Sequence, residues 1–269
     1  MGGKESGGPA MTFNKIRCDS LFDGRVAKIS LAAPKANIVD QTMIVELERA
    51  FSGCKGRRLH AIVLTAEGPN FSYGASVQEH LPEHIQTTLQ VLHRLLRTIA
   101  GAEAPVIAAV RGQCLGGGFE LVLACDLIIA EADAVFASPE IKLGVFPPAA
   151  CALLPVRIGA ASASAVVLTG ASLCAEHARS FGLVSQLVAS GELERELLRW
   201  LESDFAPRSR DSLRLAAQAT RRPVLRALEQ DLPVLERLYL DELMKCDDAV
   251  EGIRAFLEKR APRFAAVAR

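Results

Sequence analysis

The sequence predicts an α/β fold closed by a helical C-terminal region. Short apolar, β-branched runs recur through the first two thirds of the chain, and stretches with apolar residues at helical spacing lie between several of them. Beyond about residue 191 no run reads as a strand. Such alternation points to mostly parallel pairing, because a parallel return needs a crossover connection.

In chain order, residues 1–10 (MGGKESGGPA) are glycine-rich and lack the apolar stretch of a secretory signal. They are expected to form a disordered tail, with Met11 as the candidate natural start. Residues 11–190 form the expected catalytic core, with strand-like runs at 26–32, 60–66, 105–111, 126–131, 134–137 and 183–188. Within 42–51, Met43, Ile44, Leu47, Ala50 and Phe51 fall on one helical face. Ile85, Leu89, Leu92, Leu96 and Ile99 do the same in a longer helix. Residues 191–269 are charge-dense, and Pro207, Pro223, Pro233 and Pro262 divide them into candidate helices. Their leucines, from Leu225 through Leu243, exceed what a small helical lobe buries alone. This region is therefore expected to pack on the core or on another subunit.

Composition excludes some functions. Lys+Arg and Asp+Glu both number 31, so net charge offers no general case for binding nucleic acid or an anionic membrane. No apolar run approaches the ~18 residues of a membrane span. The seven cysteines are odd in number and form no Cys-x-x-Cys pair, which predicts reduced, buried thiols in a cytoplasmic protein.

The chemistry concentrates in Ile107-Ala-Ala-Val-Arg-Gly-Gln-Cys-Leu-Gly-Gly-Gly-Phe-Glu120. A buried-type strand stops at Gly112, and Gly116–Gly118 open a helix with Glu120 expected in its first turn. Glycines let a ligand approach the main chain, and a helix start leaves N–H groups free for an oxyanion. Alone, this pattern also fits a tight turn or a nucleotide loop. Upstream, Asn70-Phe-Ser-Tyr-Gly-Ala-Ser-Val77 is a second glycine-bearing loop at a strand end, so N–H donors near Ala75 and Gly117 could converge on one carbonyl oxygen. A second acid, Glu140, follows in Ser138-Pro-Glu140-Ile-Lys-Leu-Gly144. Each glutamate alone also reads as a helix-dipole partner or a solvated acid. Together in a poorly hydrated pocket, their pKa values would separate and let one hold a proton while the other takes one.

This constellation resembles the enoyl-CoA hydratase/isomerase (crotonase) family over residues 12–265. The matching segments are 107–127, Phe71-Ser-Tyr-Gly-Ala75, the Glu140 segment, and Asp248-Ala-Val-Glu-Gly-Ile-Arg-Ala-Phe-Leu-Glu-Lys-Arg260. The resemblance implies an α/β spiral of ββα units with a C-terminal helical trimerisation region, assembled as a trimer or a dimer of trimers. It also implies acyl-CoA thioester substrates, with coenzyme A part of the substrate and neither a separate cofactor nor a metal. Peptide N–H groups of Ala75 and Gly117 would hold the thioester oxygen, and Glu120 and Glu140 would be the acid/base pair. Both acids together favour hydration over isomerisation. Lys35 and Ala36 match the coenzyme A entrance, Tyr73 and Val77 flank the adenine-binding loop, and Gly116 and Phe146 line the substrate site. Lys259 matches a lysine that reaches a neighbouring subunit's coenzyme A.

Two departures bear on specificity. Ser76 stands where the family often has Asp, and Phe146-Pro-Pro-Ala-Ala-Cys151 replaces the usual Pro-Gly-Ala-Gly-Gly. That replacement fills and stiffens the wall facing the second acid. Several phrases are similar to a narrower group, the cyclohexa-1,5-diene-1-carbonyl-CoA hydratases of anaerobic benzoate degradation. They include Pro34-Lys-Ala-Asn-Ile-Val-Asp40, Arg111-Gly-Gln-Cys-Leu-Gly116 and Leu238-Tyr-Leu-Asp-Glu-Leu-Met244. Such enzymes add water to a conjugated ring thioester, giving 6-hydroxycyclohex-1-ene-1-carbonyl-CoA. The alternatives are a straight-chain enoyl-CoA hydratase and a non-catalytic RNA-binding or scaffold relative, for which Arg221, Arg222 and Arg226 offer a local basic cluster. His80-Leu-Pro-Glu-His84 has the spacing of a zinc-peptidase motif, but Pro82 argues against one helix carrying both histidines.

Overall fold

The structure, a computed structural model, describes residues 12–33 and 35–265. The tail expected at residues 1–10 lies outside them. Strands β1 (Ile16–Leu21), β2 (Val26–Leu31), β3 (Ala61–Ala66), β4 (Val106–Val110), β6 (Leu127–Glu131) and β9 (Gln186–Val188) form one sheet in the order β1-β2-β3-β4-β6-β9. Only β1 and β2 pair antiparallel; the others are parallel. β3 and β4 are buried at every residue, as central parallel strands covered on both faces must be. β1 was not expected. Its residues 17–20 are exposed, so it is an edge strand without an apolar run to mark it.

A second, small sheet runs β5 (Gln113–Leu115), β7 (Val135–Ala137) and β8 (Leu173–Cys174). Isolated parallel bridges Val39↔Ala75 and Ser72↔Cys114 continue it towards the N-terminus. The chain therefore repeats one figure: a strand in the large sheet, a short pairing in the small one, then a helix. Successive passes end in α1 (Gln41–Ser52), α2 (Ile85–Ala100), α3 (Gly116–Leu123) and α4 (Pro148–Ile158). This is the spiral of ββα units. Asp40 caps α1 by accepting from the Met43 N–H at 3.0 Å. The small sheet's pairings of one to three residues are too short to show periodicity in a sequence.

After α5 (Ala160–Thr169) and α6 (Ala175–Ser180), the described residues beyond β9 contain helices and turns but no strand. They comprise α7 (Leu193–Trp200), α8 (Arg210–Thr220), α9 (Arg222–Arg226), α10 (Leu232–Arg237) and α11 (Asp247–Leu257), with π turns at Leu201–Phe205, Ala227–Asp231 and Leu238–Glu242. Leu228 and Leu232 enter the main core and Leu225 and Leu235 pack against it. The leucine-rich segment thus folds back on its own chain. No described helix is long and apolar enough to cross a membrane.

Two expectations need correction. Cys54, Cys114 and Cys125 are buried, but Cys18, Cys174 and Cys246 are exposed, since they sit on an edge strand, a two-residue strand and a turn. Arg221 does not belong to a surface basic cluster: it is 5% exposed and its guanidinium forks onto Asp126 at 2.6 and 3.0 Å. It also donates to the carbonyls of Ala100, Ala102 and Ala104, at the turn entering β4, while Asp126 accepts from the Val106 N–H at 2.7 Å. One side chain thereby ties the C-terminal helices to the entrance of the central strand. Arg221→Leu, leaving the partly buried Asp126 and three carbonyls without their donor, is expected to cost about 3 kcal/mol in urea unfolding. A loss below about 1 kcal/mol, the level of an exposed pair, would contradict this anchor.

Candidate active site

The register of the small sheet builds the site. Ser72 pairs with Cys114, and Ala75 and Gly117 each follow three residues later (75 − 72 = 117 − 114 = 3), so the two loops run side by side. The Phe71 and Ser72 N–H groups donate to Arg111 and Gln113, and the Leu115 N–H donates back to Ser72, each at 2.9 Å. The Ser72 hydroxyl donates to Asn37 at 2.7 Å and accepts from the Gly74 N–H at 3.0 Å. This close approach explains three consecutive glycines. A Cβ at Gly117 would stand 3.1 Å from Ala75 Cβ, and one at Gly118 would stand 2.5 Å from Ser72 Cβ. Gly116 takes φ +48°, and a Cβ there would lie 2.7 Å from Glu140 Oε1. Among the described residues, the N–H groups of Ala75 and Gly117 meet no protein acceptor.

Two chambers share Ala75, His80 and Glu140 as walls. The outer one, about 60 Å³, is lined by Tyr73, Val77, Gly116 and Ile253. The inner one, about 20 Å³, is lined by Gly117, Glu120, Phe146, Pro147, Pro148 and Tyr239. Among the sequence-derived site residues, Glu120, Glu140, Ala75, Gly117, Gly116, Tyr73, Val77 and Phe146 are thus brought to one place. Ala36 touches it through its carbonyl, which accepts from the Tyr73 N–H at 3.0 Å. Lys35 is next to it in sequence but lines a different surface cleft, with Arg17, Glu67 and Asn70. Lys259, just past α11 at φ +55°, lines neither chamber.

The two acids sit in unequal surroundings. Glu120 is 4% exposed and is the fifth residue of α3, past the first turn where it was expected. A different helix end meets it: the Ala150 N–H, in the first turn of α4, donates to its Oε1 at 2.9 Å. Burial raises the Glu120 carboxyl, opposed by His93 and by the α4 N–H groups. Glu140 lies in a 3₁₀ turn, Pro139–Leu143, and its Oε2 is buried with no protein partner among the described residues. Burial, and next the Glu120 charge, push it up to about 8. Glu140 is therefore the acid that keeps a proton near neutral pH, and Glu120 the one equipped to hold charge.

The Phe146–Cys151 segment proves to serve both acids. Phe146, Pro147 and Pro148 wall the inner chamber, whereas Ala150 holds Glu120 through its backbone. The Cys151 thiol is raised to about 12 by burial, then by the Glu120 and Glu140 charges. His80 sits in a 3₁₀ turn, Val77–His80, and His84 only caps α2, so no helix carries both histidines. His80 Nδ1 is 2.9 Å from the Ser76 carbonyl, an acceptor, so Nδ1 carries the proton. No metal-ligating cluster occurs among the described residues.

Sequence reasoning missed Tyr239, which lines the inner chamber, and the pair of buried His93 with half-buried Glu236, with Nδ1 to Oε2 at 2.8 Å. His93 had a signal. It stands four residues after Leu89 and three before Leu96, a lone imidazole on the apolar stripe of α2.

These chambers, set where two glycine-bearing loops of a ββα spiral meet a pair of buried acids, have the form of an enzyme active site. A family model described as enoyl-CoA hydratase/isomerase matches residues 22–266, and the chain belongs to that family. It is 44% identical over 240 residues to cyclohexa-1,5-dienecarbonyl-CoA hydratase of Thauera aromatica, covering 89% of this chain and 92% of that protein. It is 34% identical over 244 residues to 2,3-dehydroadipyl-CoA hydratase of Escherichia coli (strain K12), covering 89% and 95%. A crystal structure of an enoyl-CoA hydratase/isomerase from Xanthobacter autotrophicus Py2 superimposes with a TM-score of 0.82 at 28% identity, covering 95% of this chain and 100% of that one.

The raised Glu140 carboxyl makes a stability prediction. Its folded value lies above the ordinary carboxyl value of about 4.5, so its protonated form contributes stability fully below about 4.5 and progressively less as pH rises towards about 8. Glu140→Gln stays neutral throughout. Thermal unfolding should show similar Tm values for both proteins in acid, with the variant gaining on the wild type across that window. A Tm difference independent of pH would contradict the shift.

Proposed function

We propose that the protein is a hydro-lyase that adds water to cyclohexa-1,5-diene-1-carbonyl-CoA, giving 6-hydroxycyclohex-1-ene-1-carbonyl-CoA. The observation that carries the hydratase chemistry is the unequal pair walling one enclosed chamber: Glu140 is pushed upward by burial and by Glu120, whereas Glu120 accepts from the Ala150 N–H of α4. In this reading the thioester oxygen rests on the N–H groups of Ala75 and Gly117, each typically worth about 2.7–4 kcal/mol to the transition state. Glu120 takes a proton from water, whose oxygen bonds to the β-carbon. The electron pair moves onto the thioester oxygen as an extended dienolate. Glu140 then gives its proton to the far end of the conjugated system, leaving one ring double bond. Proton return from Glu120 to Glu140 resets the pair. Coenzyme A enters as part of the substrate, and the chemistry calls for no other cofactor.

The cyclic substrate is supported by the similarity to the Thauera aromatica enzyme and by the proline-stiffened wall Phe146–Pro148. Lys35, in the neighbouring surface cleft, and Lys259, from a neighbouring subunit, are the proposed contacts to coenzyme A. Exposed Leu215 and Val234 on α8 and α10 favour assembly as a trimer or dimer of trimers. The proposed setting is the cytoplasm of a cell degrading aromatic acids such as benzoate without oxygen.

Glu120→Gln and Glu140→Gln are each expected to lower kcat by at least about 10²-fold with the fold intact by circular dichroism. Near wild-type turnover in either variant would remove that residue from the mechanism. The kcat/KM for cyclohexa-1,5-diene-1-carbonyl-CoA should exceed that for crotonyl-CoA. A strong preference for crotonyl-CoA would reassign the protein as a straight-chain hydratase.

A further inference from the structure

Tyr239 is one of two tyrosines in the chain and is 1% exposed. Its ring meets Phe146 edge-on, with centroids 5.3 Å apart and planes at 66°. Its hydroxyl is buried with no protein hydrogen-bond partner among the described residues, although the residue lines the inner chamber with Glu120 and Glu140. Glu140 Oε2, on the same chamber, is likewise buried without a protein partner. Buried polar atoms are rarely left unpaired, so two of them on residues that wall one chamber point to a polar occupant. The chamber measures about 20 Å³. A water needs roughly 10–15 Å³ and two to four polar partners. Burial first, then the charges of Glu140 and Glu120, hold the phenol well above its usual range. It is therefore always an O–H donor and never a phenolate.

We propose that the Tyr239 hydroxyl donates a hydrogen bond to the oxygen atom being added, first as water and afterwards as the new hydroxyl group of the product. This rests on the hydratase reading above and adds a third contact to the two carboxylates. No bond at Tyr239 is made or broken. Glu120 removes the water's proton, Glu140 supplies one to carbon, and Tyr239 fixes where the oxygen stands. Two carboxylates alone leave the water free to shift between neighbouring ring carbons; a third group from a different element selects one position. That element is the π turn Leu238–Glu242, so the docked C-terminal region contributes directly to the chemistry.

Tyr239→Phe keeps the ring on Phe146 and removes only the hydroxyl. The expected result is a kcat lowered by about tenfold or more, an almost unchanged KM, and a Tm no lower than the wild type. Binding supplies a second readout, by titration calorimetry with 6-hydroxycyclohex-1-ene-1-carbonyl-CoA and with cyclohex-1-ene-1-carbonyl-CoA, which lacks the hydroxyl. The variant should lose affinity for the hydroxylated ligand and keep it for the other. Equal losses for both ligands with a lowered Tm would show a purely structural tyrosine and overturn the proposal. So would a variant identical to the wild type in kcat and in both affinities. A wild type that hydrates neither the cyclic dienoyl-CoA nor crotonyl-CoA would overturn the hydratase reading itself, and the tyrosine's role with it.

Discussion

Two carboxylates enclosed in one small chamber strongly disfavour being charged together, because each ionised group raises the free energy of ionising the other where bulk water cannot screen them. The fold resolves this conflict by treating the two acids differently. Glu120 is given the N-terminus of α4 and a nearby imidazole, both of which favour its charge. Glu140 keeps an unpartnered oxygen and is pushed upward by burial and by Glu120. A proton held on one side and a vacancy for a proton on the other is the arrangement that addition of water requires.

That asymmetry depends on how tightly the small sheet closes. Ser72 and Cys114 pair through the backbone, and the next turn leaves no room for side chains at positions 116 to 118. The same closeness sets the Ala75 and Gly117 amides side by side and brings Gly116 against the Glu140 carboxylate. The C-terminal region completes the enclosure. Gly252 of α11 lies so close to Leu143 that a Cβ would overlap its carbonyl, which seats α11 on the turn carrying Glu140. Arg221 meanwhile fastens the preceding helices to the start of β4.

Much of this was legible in the sequence because it is local. The β3 and β4 runs, the one-sided faces of α1 and α2, and the strand-to-glycine-to-helix turn all write themselves into consecutive residues. The pairing of the Ala75 and Gly117 loops came from a motif rather than from periodicity. What stayed hidden is tertiary. β1 is polar because it is an edge, and the small sheet is too short to show a period. Which helix end meets Glu120 depends on where α4 docks, 30 residues further on. Tyr239 reads as one more apolar residue among leucines until the fold sets it on the wall of a chamber shared with two glutamates. The exposed Cys18, Cys174 and Cys246 likewise depend on surface position, not on their apolar neighbours.

The central claim is that Glu140, and not Glu120, holds the shared proton near neutral pH. Infrared difference spectroscopy of the protonated-carboxyl C=O stretch tests it directly. The account predicts a band present at neutral pH that titrates away near about 8, survives Glu120→Gln and disappears in Glu140→Gln. A wild-type protein without the band, or a band lost only in Glu120→Gln, would contradict it.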